Sequence, residues 1–187
     1  MTRVLVSIQN VLREKDPTNG NPLLPGRIFI LGSSSGGRNA INFAGMLAQA
    51  SLLPHFVAPI DASFSQADTD DRPGDNPQRV LPPPNFKLNR IAGPLGALIP
   101  RIPKRHNFFQ TKGNRRGDSF NPFAEPFFTS NMAGGLGEIH GHVESFKEHE
   151  VRVTGLFGPT DDNLHEECDA QGRRTAQQMI AKELGGV

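Results

Sequence analysis

One stretch of this sequence constrains the fold more than any other: a short apolar run, a glycine-flanked serine turn and an amphipathic segment in direct succession. The apolar run, residues 28–31, predicts a short buried strand. After the turn, apolar side chains recur at the spacing of a helix face, at Ala40, Ile41, Ala44, Leu47 and Ala48. A second run, residues 55–60, follows after a short loop. This order predicts a parallel strand–helix–strand unit and therefore an α/β fold.

The rest of the chain extends the same architecture. Residues 104–110 and 150–157 predict a third and a fourth strand, and a closing helix is expected from about residue 167. We expect a single domain over residues 1–187, a three-layer α/β fold with a mostly parallel sheet of about four strands flanked by helices. Residues of about 65–103 and 113–137 lack periodicity and are expected to be irregular, lid-like insertions.

The turn itself, Gly32-Ser-Ser-Ser-Gly36, has the pattern G-x-S-x-G with Ser34 at its centre. Between a strand and a helix, this pattern is typical of a nucleophile elbow, a strained turn that holds a hydroxyl at the mouth of a cleft. The backbone N–H of Ser35, at the start of the helix, would then face a developing oxyanion. A turn that uses small residues only for packing is the alternative.

Two other glycine-rich turns fit the sequence less well. A phosphate-binding P-loop is unlikely to be present because no Lys-Ser/Thr pair follows the glycines. The dinucleotide loop of short-chain dehydrogenases looks similar, but those enzymes rely on a tyrosine and this chain contains none.

A serine nucleophile requires a base and an acid that orients the base, and both are expected at the carboxyl ends of strands. Asp61 directly follows the second predicted strand, and His165 follows the fourth. Asp118 is the alternative acid. The chain order Ser, Asp, His is the order found on hydrolase sheets. Other histidines compete with His165 for the role of base; they are His55, His106, His140 and His142.

With these residues the chain resembles the C-terminal half of an α/β-hydrolase, closest to lipase-like members in which the acid follows the strand after the nucleophile. The resemblance covers residues 27–63 and, more loosely, 150–184. It implies Ser34 as nucleophile, Asp61 as acid, His165 as general base and the Ser35 N–H as one oxyanion donor. It further implies hydrolysis of a small-molecule or lipid ester through an acyl-Ser34 intermediate.

The chain departs from that family at its N-terminus. A full α/β-hydrolase has about four strands before the elbow and takes its second oxyanion donor from that region. This sequence has room there only for a helix, so the N-terminal strands are expected to be missing. The alternative hypothesis is therefore a weak or inactive hydrolase-fold fragment. Such a fragment would act as an interaction module, or pair with another chain through the exposed edge of the strand at residues 28–31.

Composition and short motifs argue against several classes of partner and cofactor. A net charge of +1 gives no electrostatic case for nucleic acid. No apolar run is long enough for a membrane-spanning helix, and the N-terminus does not resemble a signal peptide, which favours a soluble, cytoplasmic protein without fixing its compartment. The lone Cys168 excludes a disulfide framework. Alternation of His140, His142 and Glu144 suggests a metal site only weakly, and we expect no metal and no cofactor.

Overall fold

The computed structural model describes residues 7–8, 10, 27–70, 85–110, 140–154 and 161–185. Residues 7, 8 and 10 are helical, in keeping with a helix before the elbow. Several predictions lie outside the described residues: the remainder of that helix, the insertion at 113–137 and the alternative acid Asp118.

The described elements alternate between strands and helices along the chain. In order they are β1 (Phe29–Ser33), α1 (Ser35–Gln49), β2 (Phe56–Ile60), a 3₁₀ turn (Gln66–Asp68), β3 (Asn85–Phe86), α2 (Leu88–Ala92), a 3₁₀ helix (Gly93–Arg101), β4 (Lys104–Phe109), β5 (His142–Val143), β6 (Lys147–Glu150) and α3 (Asp161–Glu183). Strands β1, β2, β4 and β6 form one parallel sheet in that order, and among the described strands β1 and β6 are the terminal ones. β3 and β5 pair separately. The predicted α/β fold class is confirmed.

Side chains of the strands alternate between two buried layers, which gives the fold its three-layer section. Ile30 and Val57 face the cluster that contains the buried side of α1, including Ile41 and Leu47. Phe56 and Phe108 face the opposite layer, together with Ala58, Ile60 and Ala176 of α3. Because both faces of the sheet are covered, β2 is buried along its whole length.

The structure differs from the prediction at residues 85–103, which were expected to belong to an irregular insertion. Residues 85–86 form β3, and residues 88–101 form α2 and the following 3₁₀ helix. Their apolar side chains are part of the core, with Leu88, Ile91, Ile99 and Ile102 buried. Gly93, at φ 53°, and the prolines at 94 and 100 interrupt the helical pattern. A 3₁₀ helix nevertheless buries every third side chain, a period that the sequence pattern did not reveal.

The last strand and helix also begin earlier than predicted. β6 covers Lys147–Glu150, so that residues 151–154 of the predicted strand follow it and residues 155–157 lie outside the described residues. α3 begins at Asp161 rather than near residue 167. The strand sequence Lys-Glu-His-Glu is polar because β6 is the other terminal strand of the sheet, so it lacks the apolar alternation on which the prediction depended.

Among the helices of the described residues, none combines the length and the apolar character that crossing a membrane requires.

Candidate functional site

Ser34 occupies the turn between β1 and α1 in a strained backbone conformation. Its φ is 53° and its ψ is −130°, a region that residues with a side chain rarely adopt. The conformation is fixed from both sides, since the Ser34 N–H donates to the carbonyl of Ile60 at 3.1 Å and the Ser34 carbonyl accepts from Gly37 and Ser63. The strand–turn–helix arrangement predicted for this segment is therefore present, with Ser34 at its bend.

The glycines of the turn are required at two positions. A Cβ on Gly32 would lie 2.1 Å from the carbonyl oxygen of Gly36, and a Cβ on Gly37 would lie 2.5 Å from Cβ of Ala62. Gly36 has no atom within 4 Å of the corresponding position. The turn thus brings the start of α1 against β1 and against the residues after β2. The backbone N–H of Ser35 lies in the first turn of α1, where N–H groups have no partner within the helix.

Asp61 and His165 are in contact. They are the acid and the base predicted from the sequence. Asp61 directly follows β2 at φ 42°, and its N–H donates to the carbonyl of Phe108 at 2.7 Å. Its Oδ2 lies 2.6 Å from Nδ1 of His165, near the start of α3. The Asp61 side chain is fully buried, whereas the His165 side chain is 31% exposed. The imidazole therefore connects a buried carboxylate to the surface.

His140 also contacts Asp61, and sequence reasoning missed this contact. Its Nδ1 lies 2.9 Å from Oδ1 of Asp61, with only 7% of the His140 side chain exposed. The two atoms are in polar contact, although the angles between them fall short of a hydrogen bond. The alternation of His140 and His142 was a visible signal, but it suggested a metal site. Nothing in the pattern tied His140 to the end of β2.

The two imidazoles determine the charge state of Asp61. Burial alone would raise the pKa of this carboxyl group, since it disfavours the charged form. The neighbouring imidazole of His140, followed by that of His165, outweighs burial and lowers the pKa of Asp61 to about 2. Asp61 is therefore an ionised acceptor at neutral pH.

The Ser34 hydroxyl is not joined to this pair. Its Oγ lies 3.3 Å from Oγ of Ser63, and no hydrogen bond links Ser34 to His165 within the described part of the chain. The structure thus brings Asp61 and His165 together but does not form the link from His165 to Ser34. In enzymes without substrate, such hydrogen bonds are often long and shorten only in the reactive complex.

The remaining histidines lie elsewhere. His55, at the amino end of β2, contacts Glu183, and His142 lies 3.8 Å from Glu148. His106 stacks on Phe56 and contacts His149, its Nδ1 lying 2.9 Å from Nε2.

Cys168 is completely buried, and burial raises the pKa of its thiol. This agrees with a packed, unreactive cysteine.

The side chains around Asp61 also have the composition of a metal-binding site. Asp61, His140 and His165 offer ligand atoms within 4.8 Å of one another, and two imidazoles with one carboxylate are a donor set for zinc or iron. Both rings turn Nδ1 toward the carboxylate, as expected for two imidazoles that share one acidic partner. The absence of a metal stays a prediction.

Comparison of the chain with protein-family models, with curated proteins and with solved structures finds no match.

Proposed function

We propose that the chain is a serine hydrolase of the α/β-hydrolase type that cleaves carboxylic esters, of small molecules or lipids, through an acyl group on Ser34. One observation carries the proposal: a serine in a strained strand-to-helix turn lies beside a buried carboxylate that binds a partly exposed imidazole. Strained serines in such turns are typical of nucleophile elbows. Strain of this kind persists where the surrounding structure enforces it, often at functional sites.

The sheet register supports contact between the serine and the base. β1 and β2 are parallel with Ser33 opposite Ile60, and the Ser34 N–H donates to the Ile60 carbonyl at 3.1 Å, so Ser34 and Asp61 directly follow the ends of neighbouring strands. Since Asp61 contacts His165, the imidazole is held at the same edge of the sheet as Ser34. Rotation about the Cα–Cβ bond of Ser34 would carry Oγ from Ser63 toward the ring.

Each group then has one task in the proposed reaction. His165 Nε2 accepts the Ser34 proton while Oγ attacks the ester carbonyl carbon, and the carbonyl π electrons move onto oxygen. The Ser35 N–H donates to that oxyanion, and ionised Asp61 stabilises the imidazolium. The C–O bond to the alcohol then breaks, and the alcohol leaves with the proton from His165. Water repeats both steps on the acyl-Ser34 ester and releases the carboxylic acid.

A fluorophosphonate probe tests the proposal directly, because it labels a serine only when a base activates it. We expect labelling of the native chain, located at Ser34 by peptide mass spectrometry and abolished in Ser34→Ala. Ser33→Ala and Ser35→Ala are matched controls, since each removes a neighbouring hydroxyl and leaves the turn in place. Folded protein that takes up no probe, or label found on another serine, would contradict the proposal.

An inactive interaction module is the second candidate, favoured by two observations. The Ser34 hydroxyl contacts Ser63 rather than the imidazole, and β1 is a terminal strand whose residues Phe29 and Leu31 are only half-buried. A terminal strand offers unpaired backbone groups to another strand. In this case the native chain would not react with the fluorophosphonate probe. It would self-associate in sedimentation experiments, and Leu31→Lys would abolish the association.

A further inference from the structure

A second imidazole on the acid is a feature that a serine, a base and an acid do not require. The carboxylate of Asp61 has His165 at Oδ2 and His140 at Oδ1. The two rings tilt toward each other with centroids 6.0 Å apart. Because His140 is almost fully buried and His165 is not, only His165 is placed to meet a substrate.

The fold holds His140 in this position from the neighbouring strand. Asn107, buried near the end of β4, donates its Nδ2 to the carbonyl of Gly141 at 2.7 Å. The same amide group donates to Glu148 at 2.6 Å, and Glu148 accepts the N–H of Val143 at 2.9 Å. The backbone on the C-terminal side of His140 is therefore fixed to β4 and β6.

We propose that His140 is a positioning residue for the reaction at Ser34: it holds Oδ1 of Asp61 so that Oδ2 remains directed at Nδ1 of His165. This inference rests on the proposed serine hydrolase function. Without His140, Oδ1 of the buried carboxylate would lose this polar contact, and the carboxylate would turn more freely about its Cβ–Cγ bond and bind its proton more readily. Burial raises the pKa of Asp61, and His140 is the largest influence that lowers it.

Two substitutions separate positioning from packing. In His140→Asn the side-chain amide can donate from nearly the place of Nδ1, whereas His140→Leu fills the space without a donor. We expect His140→Leu to lower kcat by about 10- to 100-fold with KM unchanged, the range for loss of a close polar contact to a charged group. His140→Asn should recover most of that loss. His142→Leu is the matched control on the same segment, because His142 faces Glu148 and not Asp61.

A merely structural role would give a different pattern. If His140 only packs, His140→Leu keeps its rate, or His140→Asn and His140→Leu lose rate and thermal stability together. Either outcome overturns the proposal. So does an equal loss of rate in His142→Leu.

Proton NMR makes the test independent of catalysis. The proton between His165 Nδ1 and Asp61 should give a far-downfield resonance that persists in His140→Asn and in His142→Leu, and broadens or shifts in His140→Leu. If the native chain takes up no fluorophosphonate, the hydrolase function fails while this spectrum still decides whether His140 holds Asp61. A resonance unchanged in His140→Leu would overturn the inference even in an active enzyme.

Discussion

Asp61 and His165 meet at 2.6 Å although 104 residues separate them in the sequence. The contact joins the carboxyl end of β2 to the first turns of α3. A fully buried carboxylate requires polar partners, and the imidazole of His165 supplies one of them. This pair and the strained Ser34 are the basis of the proposed chemistry.

Asp61→Asn should nearly abolish activity without unfolding the chain. An amide cannot stabilise the imidazolium and favours the wrong tautomer of His165, and the equivalent change in a well-studied serine protease costs about 10⁴-fold in kcat. Ester turnover and the rate of fluorophosphonate labelling both measure the loss. Asp68→Asn is the control, since Asp68 is equally buried but is paired with Arg38. A labelling rate that falls alike in both variants would mean that stability, not the acid, is being measured.

Much of the fold and half of the site geometry could be predicted from the sequence. Residues 28–60 have the right periods in the right order, and position after a strand was enough to choose Asp61. The position of His165 after the last predicted strand was also sufficient to place it near Asp61, although that strand was assigned to the wrong residues. Strand ends converge at one edge of a parallel sheet, so chain order alone brings the two side chains near each other.

His140 shows what the sequence could not supply. Its partner lies at the end of β2, and the segment that carries it is placed by hydrogen bonds from Asn107 to Gly141. Such side-chain contacts depend on tertiary geometry and leave no period in the sequence. For the same reason the sequence did not reveal that Ser34 contacts Ser63.

Substitution of three neighbouring glycines by alanine should have two different effects. Gly32→Ala and Gly37→Ala place a Cβ against backbone or a packed side chain, so we expect each to lower stability by about 1–3 kcal/mol and to distort the turn. Gly36→Ala meets open space inside a helix and should be neutral or stabilising by up to about 1 kcal/mol. Thermal unfolding followed by circular dichroism ranks the three variants by melting temperature. Equal melting temperatures for all three variants would contradict the geometry of the turn.

Stability should fall in acid over a window set by Asp61. The pKa of this group is about 2 in the folded chain against an ordinary value of 3.8, so the folded state resists protonation. Ionised Asp61 contributes about 2 kcal/mol to the free energy of unfolding above pH 4, and this contribution is lost as the pH falls through 2. Urea unfolding at a series of pH values measures it, and Asp61→Asn should remove it.

Glu183 provides an internal control for this window. Lys104 and His55 lower its pKa to about 2 as well, but it lies at the exposed end of α3. Salt at about 1 M should screen the contribution of Glu183 and leave that of buried Asp61 largely intact. Acid sensitivity that disappears completely in salt would show that Asp61 is not buried in solution.

Glu148 should make the protein less stable as the pH rises toward neutrality. Burial raises the pKa of its carboxyl group to about 7, although hydrogen bonds from Val143 and Asn107 oppose the shift. Because its pKa in the folded chain lies above the ordinary 4.5, Glu148 contributes fully to stability below pH 4.5. That contribution is lost as the pH rises through 7. His106 acts in the opposite direction over the same range, because burial and the neighbouring His149 lower its pKa to about 4. The informative measurement is therefore the difference in unfolding free energy between the native chain and Glu148→Gln. That difference should favour the native chain at pH 5 and shrink or reverse by pH 8, and a difference independent of pH would show that Glu148 is ionised throughout.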